Sequence, residues 1–298
     1  MKRSSKNPHY FRLRYIMEAL PVFLFYGICA LLPLDAASGF GGWLGRTFGP
    51  LMGVSRRAKN NLQRAMPELD SRQQSQIIRG MWDNLGRVAA EYPHLASMFT
   101  AKRIGGDHAE ALRAMRAQKK GGIIISGHLG NWELGSLVAG AFDVPMAVLY
   151  RAPNNPYVDW LIRRARLHTA GQVYAKGAAG TLSLMRHLRA GGYTGILIDQ
   201  KLNEGILVPF FGILAPTTSA PAEMAMRYGL PIIVARVVRL QGAHFAVECR
   251  AVAVPRTADR KQDAAALTAA LTVQLEVWIR EHPEQWLWLH NRWSKPNT

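Results

Sequence analysis

An imidazole and a carboxylate stand five residues apart at His128 and Glu133, in the hexapeptide His-Leu-Gly-Asn-Trp-Glu that directly follows the apolar run Gly122 to Ser126. A carboxylate that holds one ring nitrogen leaves the other free to take a proton from an alcohol, the work of a general base. Five positions along a regular helix turn a side chain by about 500°, leaving it roughly 140° from its start, so the two cannot share a helical face. A turn must separate them. Gly127 and Gly130 permit one, and either Gly130 or Asn131 can serve as N-cap. Glu133 then falls in the first helical turn, where negative charge suits the helix dipole. Backbone N–H groups from Gly127 to Asn131, Gly130 and Asn131 above all, are the expected donors to an oxyanion. Ser126 would be the nucleophile of a covalent alternative, but adjacent residues at a strand end point apart.

Such a turn needs a buried strand on one side and a helix on the other. From Gly105 onward, short β-branched runs at 122–126, 144–150, 195–199, 232–238 and 245–252 alternate with helical stretches near 107–118, 131–140, 155–168 and 179–190. The alternation predicts a single α/β domain with a largely parallel central sheet flanked by helices, its site at the carboxyl ends of the strands. Asp199 ends its own apolar run and reaches the same sheet edge as His128; orienting an arginine or an acceptor hydroxyl and capping a helix are equal candidates for its role. A last helix is expected over 263–281. Residues 55–104 form a helical lead-in, with a basic helix at 55–66 and a second starting at Ser71 whose stripe Ile77, Ile78, Met81, Trp82, Leu85 and Val88 packs on the core. The α/β core occupies 105–298.

Residues 1–54 read as a basic N-terminus and a membrane-anchoring helical segment. Lys2, Arg3, Lys6, Arg12 and Arg14 precede an uncharged run from Ala19 to Leu34. That run is short for a span and is interrupted by Pro21 and Pro33, so an anchor embedded from the cytoplasmic side fits its basic flanks on both ends. Ala36-Ala37-Ser38 resembles a signal cleavage site, the rival reading. A formal charge of +17 beside 49% hydrophobic residues suits anionic lipid and acidic soluble partners. Aromatic-interleaved basic repeats and zinc-finger spacings are missing, which disfavours nucleic acid. Cys29 and Cys249 lie far apart without ligand spacing, so neither a disulfide nor a metal is expected, and His9, His94, His108, His168, His187, His244 and His282 need only surface or packing roles.

At His128 to Glu133 the chain resembles the lysophospholipid acyltransferase superfamily, and within it the late acyltransferases of lipid A synthesis, the lauroyl and myristoyl transferases. Further stretches follow in that family's order: Asn61-Leu62 with Pro67-Glu68, Tyr150-Arg151 with Asn154-Asn155-Pro156, the cluster Arg163, Arg164 and Arg166, Asp199-Gln200, Pro209-Phe210-Phe211-Gly212 with Thr217-Thr218, and Pro283 to Trp288. One departure is His290-Asn291-Arg292, where the family commonly reads His-Arg-Arg. The resemblance implies a glycerolphosphate-acyltransferase-like fold at the cytoplasmic side of a bacterial inner membrane. It implies transfer of an acyl group from acyl carrier protein, or from coenzyme A, to a hydroxyl of a lipid A precursor, with no cofactor. It makes His128 and Glu133 the catalytic dyad, gives Arg151, Arg164 and Asp199 to substrate binding, and makes His290 a brace from the chain end. Two alternatives are acylation of another glycolipid or lysophospholipid, and a non-catalytic basic lipid-binding scaffold. Phe210 and Phe211 suit an acyl channel and a packed core equally well.

Overall fold

The computed structural model describes residues 8–166, 171–255 and 257–293; Lys2, Arg3, Lys6 and His168 lie outside the described residues. Two helices come first, α1 (Pro8–Leu31) and α2 (Leu34–Phe48), parted at Pro33, whose extended backbone cannot continue a helix. The lead-in comprises α3 (Ser55–Ala65), α4 (Ser71–Glu91) and the short α5 (Leu95–Met98). Helix α4 begins where expected because Asp70 accepts from the N–H groups of Arg72 and Gln73 while the Gln73 side chain accepts from Asp70 N, a reciprocal capping box.

The remainder alternates as the sequence predicts. It runs β1 (Ile104–Gly105), α6 (Ala109–Ala117), β2 (Gly122–Ser126), α7 (Leu134–Ala141), β3 (Met146–Tyr150), α8 (Pro156–Arg166), β4 (Gln172–Ala175) and α9 (Ala178–Arg189). It continues through β5 (Tyr193–Leu197), β6 (Ile206–Phe210), β7 (Ile213–Thr217), α10 (Ala220–Tyr228), β8 (Ile232–Arg239), β9 (Phe245–Val252) and α11 (Arg260–Glu281). The main sheet has the order β1-β9-β8-β2-β5-β3-β4, and only the β8–β9 pair is antiparallel. In β2, Ile123 and Ile125 enter the core beneath α3, α4, α10 and α11, while Ile124 enters the core beneath α5, α6 and α7. Burial on both faces explains why β2 reads as an unbroken apolar run.

Two features depart from the sequence reading. Residues 206–217 form a separate hairpin, β6 with β7, turned at Phe211 and Gly212 with φ of 53° and 70°. Its aromatics belong to the core: Phe210 and Phe211 are buried, lie 4.9 Å apart, and meet Trp286, Trp288 and Trp293 at centroid distances from 5.7 to 6.3 Å. Helix α2, assigned with the anchoring segment, packs along α4. A Cβ on Gly41 would stand 2.3 Å from Gly86 O, so only glycine allows the two backbones this approach. Ser38 donates to buried Glu91 and Arg46 pairs with Asp83 across the same contact. Ala36-Ala37-Ser38 therefore lies inside a packed helix, with Ala37 and Ser38 buried, a poor setting for cleavage.

Among the described residues one stretch, Arg12–Leu31 of α1, is long and apolar enough to cross a membrane by length and composition. Leu13, Met17, Leu20, Leu24 and Leu31 on it are exposed. Its neighbour is α8: Phe23 stacks on Trp160 at 6.1 Å and Asn155 donates to Tyr15 O at 2.8 Å.

Candidate active site

The register of β2 and β5 sets the site. Ser126 pairs with Leu197 and Ile198 N donates to Ser126 O, so two residues beyond each strand end His128 and Asp199 arrive side by side. Asp199 Oδ1 lies 2.9 Å from His128 Nδ1, and Asp199 Oδ2 accepts from His128 N at 2.7 Å and from Trp286 Nε1 at 2.8 Å. The carboxylate on the imidazole is thus Asp199. Glu133, expected in that place, instead binds the guanidinium of Arg166, with Arg166 Nη2 at 2.5 Å from Oε1 and Nε at 2.9 Å from Oε2. Tyr92 Oη and Trp132 Nε1 also donate to Glu133 Oε1, at 2.8 and 3.1 Å.

The turn between them has the expected glycine and a later helix. Gly130 takes φ +57°, and a Cβ there would stand 2.1 Å from Val237 O, so both backbone angle and space require glycine. Helix α7 starts at Leu134, which makes Glu133 itself the N-cap position and places Gly130 and Asn131 in the turn before it. The oxyanion assignment to Gly130 fails on its hydrogen bonds. Gly130 N donates to Gln285 O, Leu129 N to Gly127 O and His128 N to Asp199. Asn131 is fully buried and its side-chain amide donates to Glu91 Oε2.

Elements remote in sequence build this shell. Asn84 of α4 donates to Gly130 O and Gln285 O, and Leu287 N donates to His128 O. Glu91, buried, ion-pairs with Arg239 and also accepts from Asn131 and Ser38. On the outer side of the ring, the amide nitrogen of Gln200 lies 3.1 Å from His128 Nε2 and 2.8 Å from His290 Nε2. One NH2 group can donate to both rings, which leaves His128 Nδ1 protonated toward Asp199 and Nε2 as the basic nitrogen.

Burial pushes His128 down, but the charge and hydrogen bond of Asp199, helped by the charge of Glu133, outweigh it and raise its pKa above the ordinary histidine value. Burial alone would raise Asp199; the same partner ring and its other donors hold it well below the usual carboxylate range. His290 is lowered, by burial first and by the neighbouring His128 charge second. The site therefore offers one imidazole inclined to accept a proton beside one inclined to stay neutral.

The substrate-binding candidates divide. Asp199 is in the site. Arg166, one of the predicted cluster, is the arginine that enters it, with its guanidinium also over the Tyr150 ring at 4.8 Å. Arg164, favoured by resemblance, is exposed and lies over Trp160 at 5.7 Å on the side facing α1, and Arg151 is exposed beyond β3. His290 reaches the site through the Gln200 amide, while Asn291 beside it is exposed, so the departure from His-Arg-Arg falls on an outward position. Ser126 Oγ reaches only the neighbouring Gly127 O, at 3.5 Å. Gln200, Tyr92, Asn84, Glu91 and Arg239 had no role in the sequence reading. Asn84 and Glu91 sit seven apart on the face that carries Met81 and Val88, and a polar pair inside an apolar stripe was the available signal. Among the described residues no group of His, Cys, Asp and Glu could hold a metal ion.

Comparison with known proteins identifies a family for the whole chain. A family model described as bacterial lipid A biosynthesis acyltransferase matches residues 3–295. The chain is 24% identical to a lipid A biosynthesis acyltransferase of Haemophilus influenzae over 97% of this chain and 93% of the relative. It is 25% identical to a lipid A biosynthesis lauroyltransferase of Escherichia coli, covering 81% of this chain and 80% of that one. A palmitoleoyltransferase of the same pathway in Escherichia coli is 23% identical, covering 80% and 78%.

Proposed function

Because the chain belongs to the bacterial lipid A biosynthesis acyltransferase family and is an acyltransferase, we propose that it moves a fatty acyl group from a carrier-protein or coenzyme A thioester to a hydroxyl of a lipid A precursor, with His128 as general base oriented by Asp199. The observation that carries this reading is the 2.9 Å contact between His128 Nδ1 and Asp199, with Nε2 turned away from the carboxylate. In the proposed step the acceptor hydroxyl displaces the Gln200 amide from Nε2. Its oxygen attacks the thioester carbonyl as its proton passes to Nε2, and Asp199 steadies the imidazolium. The tetrahedral intermediate then expels the thiolate, which takes that proton back from Nε2, so the products are an ester and a free thiol.

Two further assignments follow from the geometry. The displaced Gln200 amide is the side-chain donor nearest the reacting nitrogen and so a candidate to meet the oxyanion, since the N–H groups of His128, Leu129 and Gly130 are engaged. Glu133 acts at one remove, by fixing Arg166. The exposed apolar face of α1, with Arg163 and Arg164 on the adjacent α8, suits an enzyme that rests against the cytoplasmic face of the inner membrane, where guanidinium forks meet acceptor phosphates. Mass spectra of lipid A from cells with and without the protein test the reading. The expected result is loss of a single secondary acyl chain, restored by the wild-type protein and not by His128→Ala. An unchanged lipid A, with acyl transfer to another glycolipid or to none, would overturn it.

A further inference from the structure

We infer that α3 is the docking surface for the protein that carries the acyl donor, an acidic helical carrier; this rests on the reading above that the donor is a carrier-bound thioester. Helix α3 presents Arg56, Arg57 and Lys59 exposed and contains no acid. The acids that follow it are engaged elsewhere, Glu68 with Arg280 at 3.3 Å and Asp70 with the start of α4. Among the described residues no ion pair reaches Arg56, Arg57 or Lys59, the condition for attracting an acidic partner.

The position of α3 matters more than its charge. Its inner face, with Ala58 and Leu62 buried, is tied to the segment that braces the site. Asn61 donates to Trp288 O at 2.8 Å and His290 O at 2.5 Å, Arg57 donates to Leu289 O at 3.3 Å, and Arg64 lies over the Trp293 ring at 5.7 Å. From His290 a single amide leads to the reacting nitrogen of His128. A carrier seated on α3 would stand beside the site, within reach of a thioester on a flexible arm.

The other cationic helices are placed differently. Arg186 and Arg189 fall in the last turn of α9, which leads into the amino end of β5, and Arg116 at the end of α6 precedes the amino end of β2 and pairs with Asp143. Both lie at the sheet edge opposite His128. Arg163 and Arg164 lie just before Arg166, which enters the site, but on the helix stacked against apolar α1. The molecule thus offers a greasy cationic flank for a lipid acceptor and, at α3, a polar cationic flank for a soluble donor.

The test measures kcat/KM of the full-length protein for one acyl chain presented on acyl carrier protein and on pantetheine, which is uncharged and has no protein surface. For Arg56→Glu with Lys59→Glu, the carrier-to-pantetheine ratio should fall about tenfold or more and lose most of its salt dependence. Arg56→Gln with Lys59→Gln should give a smaller fall in the same direction. Charge-reversing the carrier's own acidic helix should recover part of the loss in the Glu variant. The inference is overturned if the ratio stays at the wild-type value, or if Arg186→Glu with Arg189→Glu lowers it as much. A wild-type protein that turns over neither thioester overturns the functional reading itself, a result distinct from an unchanged ratio.

Discussion

Two buried carboxylates flank His128, and they are partnered in opposite ways. Asp199 accepts from the imidazole it serves, from that residue's backbone N–H and from Trp286, so among the described residues the titrating ring is the one cationic group hydrogen-bonded to it. Glu133 is already neutralised by the Arg166 guanidinium and covered by Tyr92 and Trp132. Their reach to the base differs accordingly. Asp199 raises His128 by charge and by hydrogen bond, whereas the raising effect of Glu133 is opposed by the lowering effect of Arg166 beside it. A carboxylate's task is set by whether its charge is spent, and spacing in sequence does not report that.

Removing the base should have the largest effect. His128→Ala is expected to lower kcat/KM by about 10²- to 10⁴-fold, the usual worth of a positioned base, measured with a short-chain thioester and detergent-dispersed acceptor. Asp199→Asn should cost roughly 10²-fold and also change the pH profile. In the wild type the base works only when neutral, and its pKa is raised, so kcat/KM should climb with pH through a limb above the ordinary histidine value. Without the Asp199 charge, burial dominates and moves that limb to lower pH. A limb that shifts in Glu133→Gln while staying fixed in Asp199→Asn would reverse the assignment.

Glu133→Gln should act chiefly on stability. It leaves the Arg166 guanidinium, whose side chain is 19% exposed, without its anion, and breaking a mostly buried pair from one side typically costs about 3 kcal/mol. Thermal melts of the variant read this. The uncompensated Arg166 charge should also move the pH limb slightly downward. Glu133→Gln combined with Arg166→Gln removes both opposed influences on His128, so the limb should return toward the wild-type position.

The sheet was legible because β2 and β8 are buried on both faces and so are rich in β-branched residues. The site was legible only in part. His128 could be found because glycines mark its turn, and Asp199 could be placed at the same edge because its apolar run ends there. Their pairing could not, since it depends on β2 lying next to β5 in the order β8-β2-β5-β3, a fact of topology that leaves no trace in either strand alone. The hairpin at Ile206 to Thr217 was hidden because Pro209 and Pro216 interrupt its alternation, and because its turn uses Phe211 with positive φ where Asn or Asp would have signalled a turn. The packing of α2 on α4 was hidden for a related reason. Gly41 and Gly45 serve helix contact in water as readily as in lipid, and only the partner groove on α4, at Gly86 and Trp82, tells them apart.

The finest separation of the two carboxylates comes from a residue that touches only one of them. Trp286→Phe keeps the ring that packs on Phe210 and Trp288 but deletes the indole N–H that reaches Asp199 Oδ2 at 2.8 Å. That hydrogen bond stabilises the ionised carboxylate, so its loss makes Asp199 hold a proton more readily and strengthens its pull on the proton of His128. The limb of kcat/KM should then move to higher pH, by less than about one unit for a single neutral hydrogen bond. Below the limb the rate should fall severalfold, and well above it the variant should approach wild type. Asp199→Asn displaces the same limb in the other direction. Opposite displacements from two changes on one carboxylate are expected only if that carboxylate holds the base; equal limbs in Trp286→Phe and wild type would return Glu133 to consideration.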